Sequence, residues 1–248
     1  MLNAPQIKRL LSKLERFADD LEPKLFVKVG ALANVRYACT DTPYDALPAL
    51  EYAPAEPGMT WRGEGNYCWF TGEFTPDETL AGKALYVRPR IGGYEALLFV
   101  DGKAFGTFNT KIVYTGHGNH DCDLIVKNAV PGKKIDITFE YYAGHRYPGC
   151  HPGDTFGDNP FVYEYNGAEI CVKDPEIQSF YFDLQTALKL AGALGDTFRR
   201  GELIEALYET YKTVNITVAD TPEEELRASL RRGAPILRKV LAEPTATA

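Results

Sequence analysis

The pattern of hydrophobic and polar positions divides the 248-residue chain into three regions, of which the first is helical. From residue 3 to about residue 20, hydrophobic side chains recur at helical spacing and charged residues fill the opposite face. Asn3 suits the N-cap, Pro5 suits the first turn, and Pro23 ends the pattern. Residues 1–22 are therefore predicted to form an N-terminal helix.

From about residue 25 to residue 174 the period falls to two, which is typical of half-buried antiparallel strands. Two sets of side chains alternate within Tyr67–Phe74, and two more alternate within Lys134–Tyr141. Many short strands, separated by Gly and Pro turns with no helices between them, indicate a mainly β protein of the sandwich or jelly-roll type. This antiparallel β-sandwich is predicted to span residues 23–175.

Two dipeptides within the sandwich predict tight hairpins. Asp101-Gly102 separates the hydrophobic run Ala96–Val100 from Lys103–Phe105, and Asn166-Gly167 separates Phe161–Tyr163 from Glu169–Val172. A type I′ turn needs positive φ at both central residues, which Asn-Gly and Asp-Gly tolerate best. Each dipeptide is therefore predicted to join two paired strands.

A C-terminal helical segment is predicted over residues 176–242. Its first helix has a face of Leu184, Leu188, Ala191 and Leu194 and a stop at Gly195, and a second helix covers Leu203–Tyr211. A third opens at Thr221-Pro222 and is predicted to be interrupted near Pro235. Residues 243–248 have the composition of a linker or a tail.

Charge and cysteine content narrow the class of protein and its compartment. The net charge of −7 argues against nucleic-acid binding, which requires a basic face. The sequence contains no apolar run long enough to span a membrane and no visible secretory signal, so no membrane partner is expected. Five dispersed cysteines without a CxxC pair predict no disulfide framework and a cytoplasmic location.

The search for catalytic chemistry excludes several familiar motifs. The sequence has no phosphate-binding loop, no dinucleotide fingerprint and no GxSxG elbow. His117, His120 and Cys122 do not have a standard zinc-ligand spacing, so a loop and core interpretation is favoured over a metal site. Glycosidases need two carboxylates, but the sequence cannot pair its candidates, which are Glu64, Glu73, Glu95, Asp101, Glu140 and Asp154.

Clustered aromatic residues give the most informative signal for binding. One cluster includes Trp61 and Trp69, and another leads from Tyr142 into a loop over residues 143–159 that is rich in Gly, Pro, His and Asp. Aromatic faces beside polar residues suit the apolar face of a sugar ring, whereas the alternative is that these rings fill the core or dock the helices. The predicted carbohydrate contacts are Trp61, Trp69, Glu95, Tyr142, His145, Arg146 and Tyr147.

Several blocks, in this order, resemble the α-mannosidases of glycoside hydrolase family 38 in the region before their catalytic domain. The blocks cover nearly the whole chain and are Trp61–Phe74, Gly82–Val87, Gly92–Lys103, His117, Glu140–His145 and Phe180–Leu188. One departure is Gly92-Gly93-Tyr94-Glu95, which carries one Tyr more than the Gly-Gly-Glu of the family. The resemblance implies a galactose-binding-like sandwich and a parent enzyme that hydrolyses α-mannosides with retention.

The resemblance also implies which chemistry lies outside this sequence. The family's catalytic domain would begin after Leu241, so no catalytic or metal-binding residue is carried over. No cofactor is expected in this chain, and a divalent metal such as zinc is expected in that catalytic domain. The expected partners are the catalytic domain of the parent enzyme, mannose-containing glycans and a second copy of the chain in a homo-oligomer.

Three functional hypotheses follow from the sequence. The first is a non-catalytic accessory domain that packs against the catalytic domain, shapes the rim of its active site or helps assembly. The second is a stand-alone carbohydrate-binding sandwich. The third is a small glycosidase that uses paired carboxylates, so activity of this chain alone is left open.

Overall fold

A computed structural model describes residues 2–109, 122–145 and 161–242 of the chain. The helices are α1 (Ala4–Leu21), α2 (Pro175–Ala193), α3 (Phe198–Thr213) and α4 (Glu223–Ala242). The strands are β1 (Phe26–Ala31), β2 (Ala33–Thr40), β3 (Ala53–Pro54), β4 (Met59–Arg62), β5 (Tyr67–Phe74), β6 (Leu85–Ile91), β7 (Glu95–Val100), β8 (Lys103–Asn109), β9 (Asp123–Val126), β10 (Ile135–Tyr142) and β11 (Val162–Lys173).

The strands form two sheets, which confirms the predicted β-sandwich. Within the described residues, one sheet has the order β3-β2-β5-β10-β7-β8, and the other has the order β1-β11-β6-β9 with β4 also paired to β11. In the first sheet, β10 pairs antiparallel with β5 on one side and with β7 on the other. The period of two seen in the sequence of β5 and β10 therefore corresponds to two neighbouring central strands.

One face of each central strand fills the hydrophobic core of the sandwich. Cys68 and Phe70 of β5 and Phe139 and Tyr141 of β10 are buried there, together with residues of the other sheet such as Val87. Burial of a large apolar side chain contributes about 1.5–3 kcal/mol. The alternate residues of these strands consequently lie on the opposite, outer face of the six-stranded sheet.

The two Gly dipeptides of the sandwich have different structures. Asp101 and Gly102 have φ values of 50° and 75° and join β7 to β8, which confirms the predicted type I′ hairpin. The hairpin predicted at Asn166-Gly167 is wrong, because β11 continues through both residues. Tyr165 pairs with Ile91 and Ala168 pairs with Pro89, so β11 has two residues between these pairs where β6 has one. The extra residue forms a β-bulge, in which Gly167 has a φ of 93°.

The helices belong to one compact unit, composed of residues 1–27 and 173–248, and the sandwich belongs to a second unit of residues 28–172. The N-terminal helix and the C-terminal segment, predicted as separate regions, thus share one hydrophobic core. Asn3 caps α1 through a capping box with Gln6, and Asp174 caps α2. Arg227 of α4 also binds the Asp174 carboxylate at 2.6 Å.

Helix α4 is continuous through Pro235, so the predicted interruption is absent. Proline removes one helical hydrogen bond, because it has no backbone N–H. Leu226 and Leu230 before the proline and Leu237 and Val240 after it are all buried in the helical core. Tertiary packing of this face therefore keeps the helix intact across the proline.

A disulfide bond links two adjacent strands of the six-stranded sheet. Cys39 of β2 lies directly opposite Cys68 of β5, with their Cα atoms 4.0 Å apart. The dispersed cysteines predicted no disulfide framework, and the Cys39–Cys68 bond shows that this prediction is wrong for one pair. The pairing depends on the register of two strands, which the spacing of cysteines along the chain does not reveal.

Candidate functional site

Two rows of side chains cross the outer face of the six-stranded sheet side by side. In the first row, Tyr142 of β10 lies between Tyr67 of β5 and Glu95 of β7. In the second row, Glu140 lies between Trp69 and Leu97, and Thr107 of β8 lies beyond Leu97. The register of four strands thus brings together residues from distant parts of the sequence.

These rows line an open cavity of about 500 Å³, which is within the ~300–1,000 Å³ range of small-molecule sites. We call it the Tyr–Glu cavity, and its outer-face lining residues are Tyr67, Glu95, Leu97, Thr107, Glu140 and Tyr142. The lining combines aromatic rings, carboxylates and a hydroxyl on rigid strands. Such a combination can hold a polar ring-shaped ligand in a fixed orientation.

Two tyrosines form the aromatic part of the cavity. The ring centroids of Tyr67 and Tyr142 are 5.0 Å apart, with the ring planes inclined by 33°. Both residues are half-buried, so neither is closed off from solvent. Tyrosine joins an apolar ring to a hydroxyl that donates and accepts hydrogen bonds.

Two glutamates form the charged part of the cavity. Glu95 and Glu140 occupy diagonal positions on neighbouring strands, for which Cβ atoms are typically about 7–8 Å apart. Glu95 is exposed and Glu140 is half-buried. Burial raises the pKa of Glu140, a hydrogen bond from the backbone N–H of Tyr44 lowers it, and the charge of Asp45 raises it, so that the net effect is an increase.

The structure places the two predicted tryptophans in the interior. Trp61 is 2% exposed and packs against Tyr163 with ring centroids 5.0 Å apart. Trp69 is 0% exposed, with its ring 5.5 Å from that of Phe99. Neither indole offers a face to a sugar in this structure, so the stacking role predicted for them is corrected to a packing role.

The other predicted contacts have three different placements. Glu95 and Tyr142 line the Tyr–Glu cavity. His145 lies three residues beyond the end of β10, is exposed, and has its Nδ1 atom 3.1 Å from Oε1 of Glu64. Arg146 and Tyr147 lie outside the described residues.

Four of the outer-face lining residues were absent from the predicted contacts, namely Tyr67, Leu97, Thr107 and Glu140. Tyr67 and Glu140 belong to the more polar of the two alternating sets in β5 and β10, which are predicted to be half-buried strands. What the sequence lacked was the register that makes Glu140 a neighbour of Trp69 and Tyr142 a neighbour of Tyr67. Thr107 had no sequence signal, because a single exposed threonine on a strand is ordinary.

The remaining sequence candidates that the structure describes form no metal site. Among the described residues, no group of three or more His, Cys, Asp and Glu side chains could hold a metal ion. Glu73 binds Lys134 at 3.4 Å, and Asp101 accepts a hydrogen bond from the Asp136 N–H in the β7–β8 hairpin. His117, His120 and Asp154 lie outside the described residues.

Comparison with known proteins gives only distant similarity. No family model and no curated protein matches the sequence. A β-glucuronidase from Ruminococcus gnavus aligns with a TM-score of 0.39 and 11% identity over 61% of this chain and 29% of the enzyme. A β-glucuronidase from Faecalibacterium prausnitzii aligns with a TM-score of 0.41 and 12% identity over 61% of this chain and 32% of the enzyme.

Both of these solved structures are β-glucuronidases, and each resembles this chain only weakly and in part. The chain spans less than a third of the length of either enzyme. As a separate observation, none of the helices in the described parts of the chain combines the length and the apolar character needed to cross a bilayer.

Proposed function

We propose that this chain is a non-catalytic, carbohydrate-binding sandwich domain that serves as an accessory domain of a glycosidase of the family-38 α-mannosidase type. The observation that carries the binding role is the Tyr–Glu cavity, in which two tyrosine rings and two glutamates converge on one face of a sheet. The attribution to the α-mannosidases rests on the order of the sequence blocks from Trp61 to Leu188.

The chemistry of the cavity suits a sugar ring. The apolar C–H face of a pyranose can lie against an aromatic ring, while carboxylates accept hydrogen bonds from sugar hydroxyls. Glu95, Glu140 and Thr107 surround the Tyr67–Tyr142 pair with such polar groups. The cavity therefore supplies both the stacking surface and the hydrogen-bonding groups of a monosaccharide site.

The accessory role assigns catalysis to a separate domain of the parent enzyme. That domain would hold the divalent metal, such as zinc, and the residues that cleave α-mannosides. Mannose-containing glycans are the proposed ligands, and the catalytic domain and a second copy of the chain are the proposed protein partners. The alternative is a stand-alone carbohydrate-binding protein, which would use the same cavity.

The binding role is tested by calorimetric titration of the full chain with mannose and mannose oligosaccharides. We expect binding, and we expect Tyr142→Ala to weaken it about tenfold, since loss of an aromatic contact of ~1.4 kcal/mol changes an affinity by that factor. Tyr142→Phe keeps the ring and is expected to bind within about threefold of the wild type. Equal affinities of the wild type and of a folded Tyr142→Ala variant would contradict the proposed site.

The accessory role is tested by incubating this chain with an aryl α-mannoside and a divalent metal. We expect no turnover by the chain alone. Turnover that disappears in Glu140→Gln or Glu95→Gln would instead support the hypothesis of a small glycosidase with paired carboxylates.

A further inference from the structure

In the part of the chain that the structure describes, the charged side chains that line the Tyr–Glu cavity are both acidic. Glu95 and Glu140 line it, and the negative charge of Asp45 acts on Glu140. Among the residues that the structure describes, neither Glu95 nor Glu140 forms an ion pair, and no basic side chain lines the cavity. A cavity of this kind has a negative potential, which attracts cationic ligands and repels anionic ones.

Two basic side chains that the structure describes on the same sheet face bind groups outside the cavity. Lys134 lies 2.8 Å from Asp136 Oδ1 and 3.4 Å from Glu73 Oε2. Glu73 is six residues along β5 from Tyr67, a distance of about 20 Å at the rise of a strand. Arg36 donates a hydrogen bond to the backbone carbonyl of Tyr52. Neither cation neutralises the two glutamates of the cavity.

The aromatic part of the cavity favours the same sign of ligand charge. The face of a tyrosine ring carries partial negative charge, so it attracts a cation within about 6 Å. Tyr67 and Tyr142 lie side by side with ring centroids 5.0 Å apart and share the cavity with both glutamates. An ammonium group in the cavity would therefore be attracted by carboxylates and by ring faces together.

We propose that the Tyr–Glu cavity selects a cationic amino sugar over the neutral and acidic forms of the same ring, an inference that rests on the carbohydrate-binding role proposed above. The ammonium group would interact with Glu95 and Glu140, while the ring would lie against the tyrosines. A uronic acid would bring a further carboxylate beside two glutamates that form no ion pair within the described residues, and it would be repelled. The half-buried position of Glu140 strengthens both effects, because its charge is less screened by water.

The test is a set of calorimetric titrations at near-neutral pH and low salt with four sugars that share one ring. Mannosamine carries the ammonium group, N-acetylmannosamine carries a neutral amide at the same carbon, mannose is neutral, and mannuronate is acidic. We expect mannosamine to bind about tenfold more tightly than the two neutral sugars, and mannuronate to bind most weakly. We expect added salt to reduce this preference.

Two double variants identify the origin of the preference. In E95Q/E140Q the cavity keeps its shape and loses its charge, and we expect mannosamine and mannose to bind within about twofold of each other. The matched control E205Q/E224Q removes the same net charge from two exposed helical glutamates outside the cavity. The control is expected to keep the preference of the wild type.

Three results would overturn the inference while leaving the proposed function in place. These are equal or tighter binding of mannose than of mannosamine, a preference that survives in E95Q/E140Q, and a preference that is lost in E205Q/E224Q. Absence of binding by all four sugars would overturn the proposed carbohydrate-binding role as well. The two failures are thereby distinguished in one set of titrations.

Discussion

The side chain of Glu140 is half-buried on the outer face of the six-stranded sheet. Ionisation of its carboxyl group therefore destabilises the folded state. Burial raises its pKa, the Tyr44 N–H lowers it, and Asp45 raises it, for a net increase. A raised pKa means that the folded protein binds this proton more tightly than the unfolded chain does. The resulting stability is fully present below the ordinary pKa of glutamate and is lost as the pH rises through the raised value.

Replacement of Glu140 by glutamine therefore has a pH-dependent effect on stability. Glutamine keeps an oxygen that can accept the Tyr44 N–H and cannot ionise. We expect Glu140→Gln to raise the melting temperature at near-neutral pH, and we expect the gain to disappear as the pH falls below the usual range of glutamate. Thermal denaturation over a pH series measures this difference in melting temperature. The Glu95→Gln variant, at an exposed position, is the control for net charge. A gain that is largest in acid would contradict the assignment.

The sequence located some residues of the candidate site and missed others for a definite reason. The sequence predicted both Tyr142 and Trp69 as sugar contacts, and the structure places them on the same face of the sheet. The sequence did not reveal that the segment after β2 reaches this face. There the backbone N–H of Tyr44 donates a hydrogen bond to Glu140, which lies opposite Trp69 on the neighbouring strand. Tyr142 lines the Tyr–Glu cavity and Trp69 is fully buried, although the sequence predicted the same role for both.

At the scale of single elements, the two Gly dipeptides show what a local signal can predict. Asp101-Gly102 and Asn166-Gly167 both favour positive φ, and glycine adopts it in both. Only in the first dipeptide do both residues have positive φ, as a type I′ turn requires. Whether the chain reverses or continues with a bulge depends on which strand lies alongside, and a dipeptide carries no information about that.

The bulge in β11 makes a prediction that a hairpin would not make. Gly167 has a φ of 93°, so Gly167→Ala is strained and is expected to lower the free energy of unfolding by about 1–2 kcal/mol. Asn166 is exposed and is not among the residues with positive φ, so Asn166→Ala is expected to change little. Chemical denaturation measures both. A similar loss in both variants would indicate a two-residue turn and contradict the bulge.

At the scale of the whole molecule, the sequence predicted which regions are helical and which are β better than it predicted how these regions combine into compact units. The β-sandwich and the helical regions were both predicted, because periods of two and of 3.6 residues are local properties of the sequence. The structure divides the chain differently, with α1 and the C-terminal helices in one unit and the sandwich in another. The shared core of helices that are distant in the sequence has no local pattern from which it could be predicted.

The central claim is that the outer face of the six-stranded sheet binds a sugar at the Tyr–Glu cavity. The most direct test is an NMR titration of the isotopically labelled full chain with mannose and with mannosamine. The account predicts that the shifted backbone N–H signals cluster on the strands that line the cavity, around Tyr67, Thr107 and Tyr142. Absence of shifts at saturating sugar, or shifts confined to the helical unit, would contradict it.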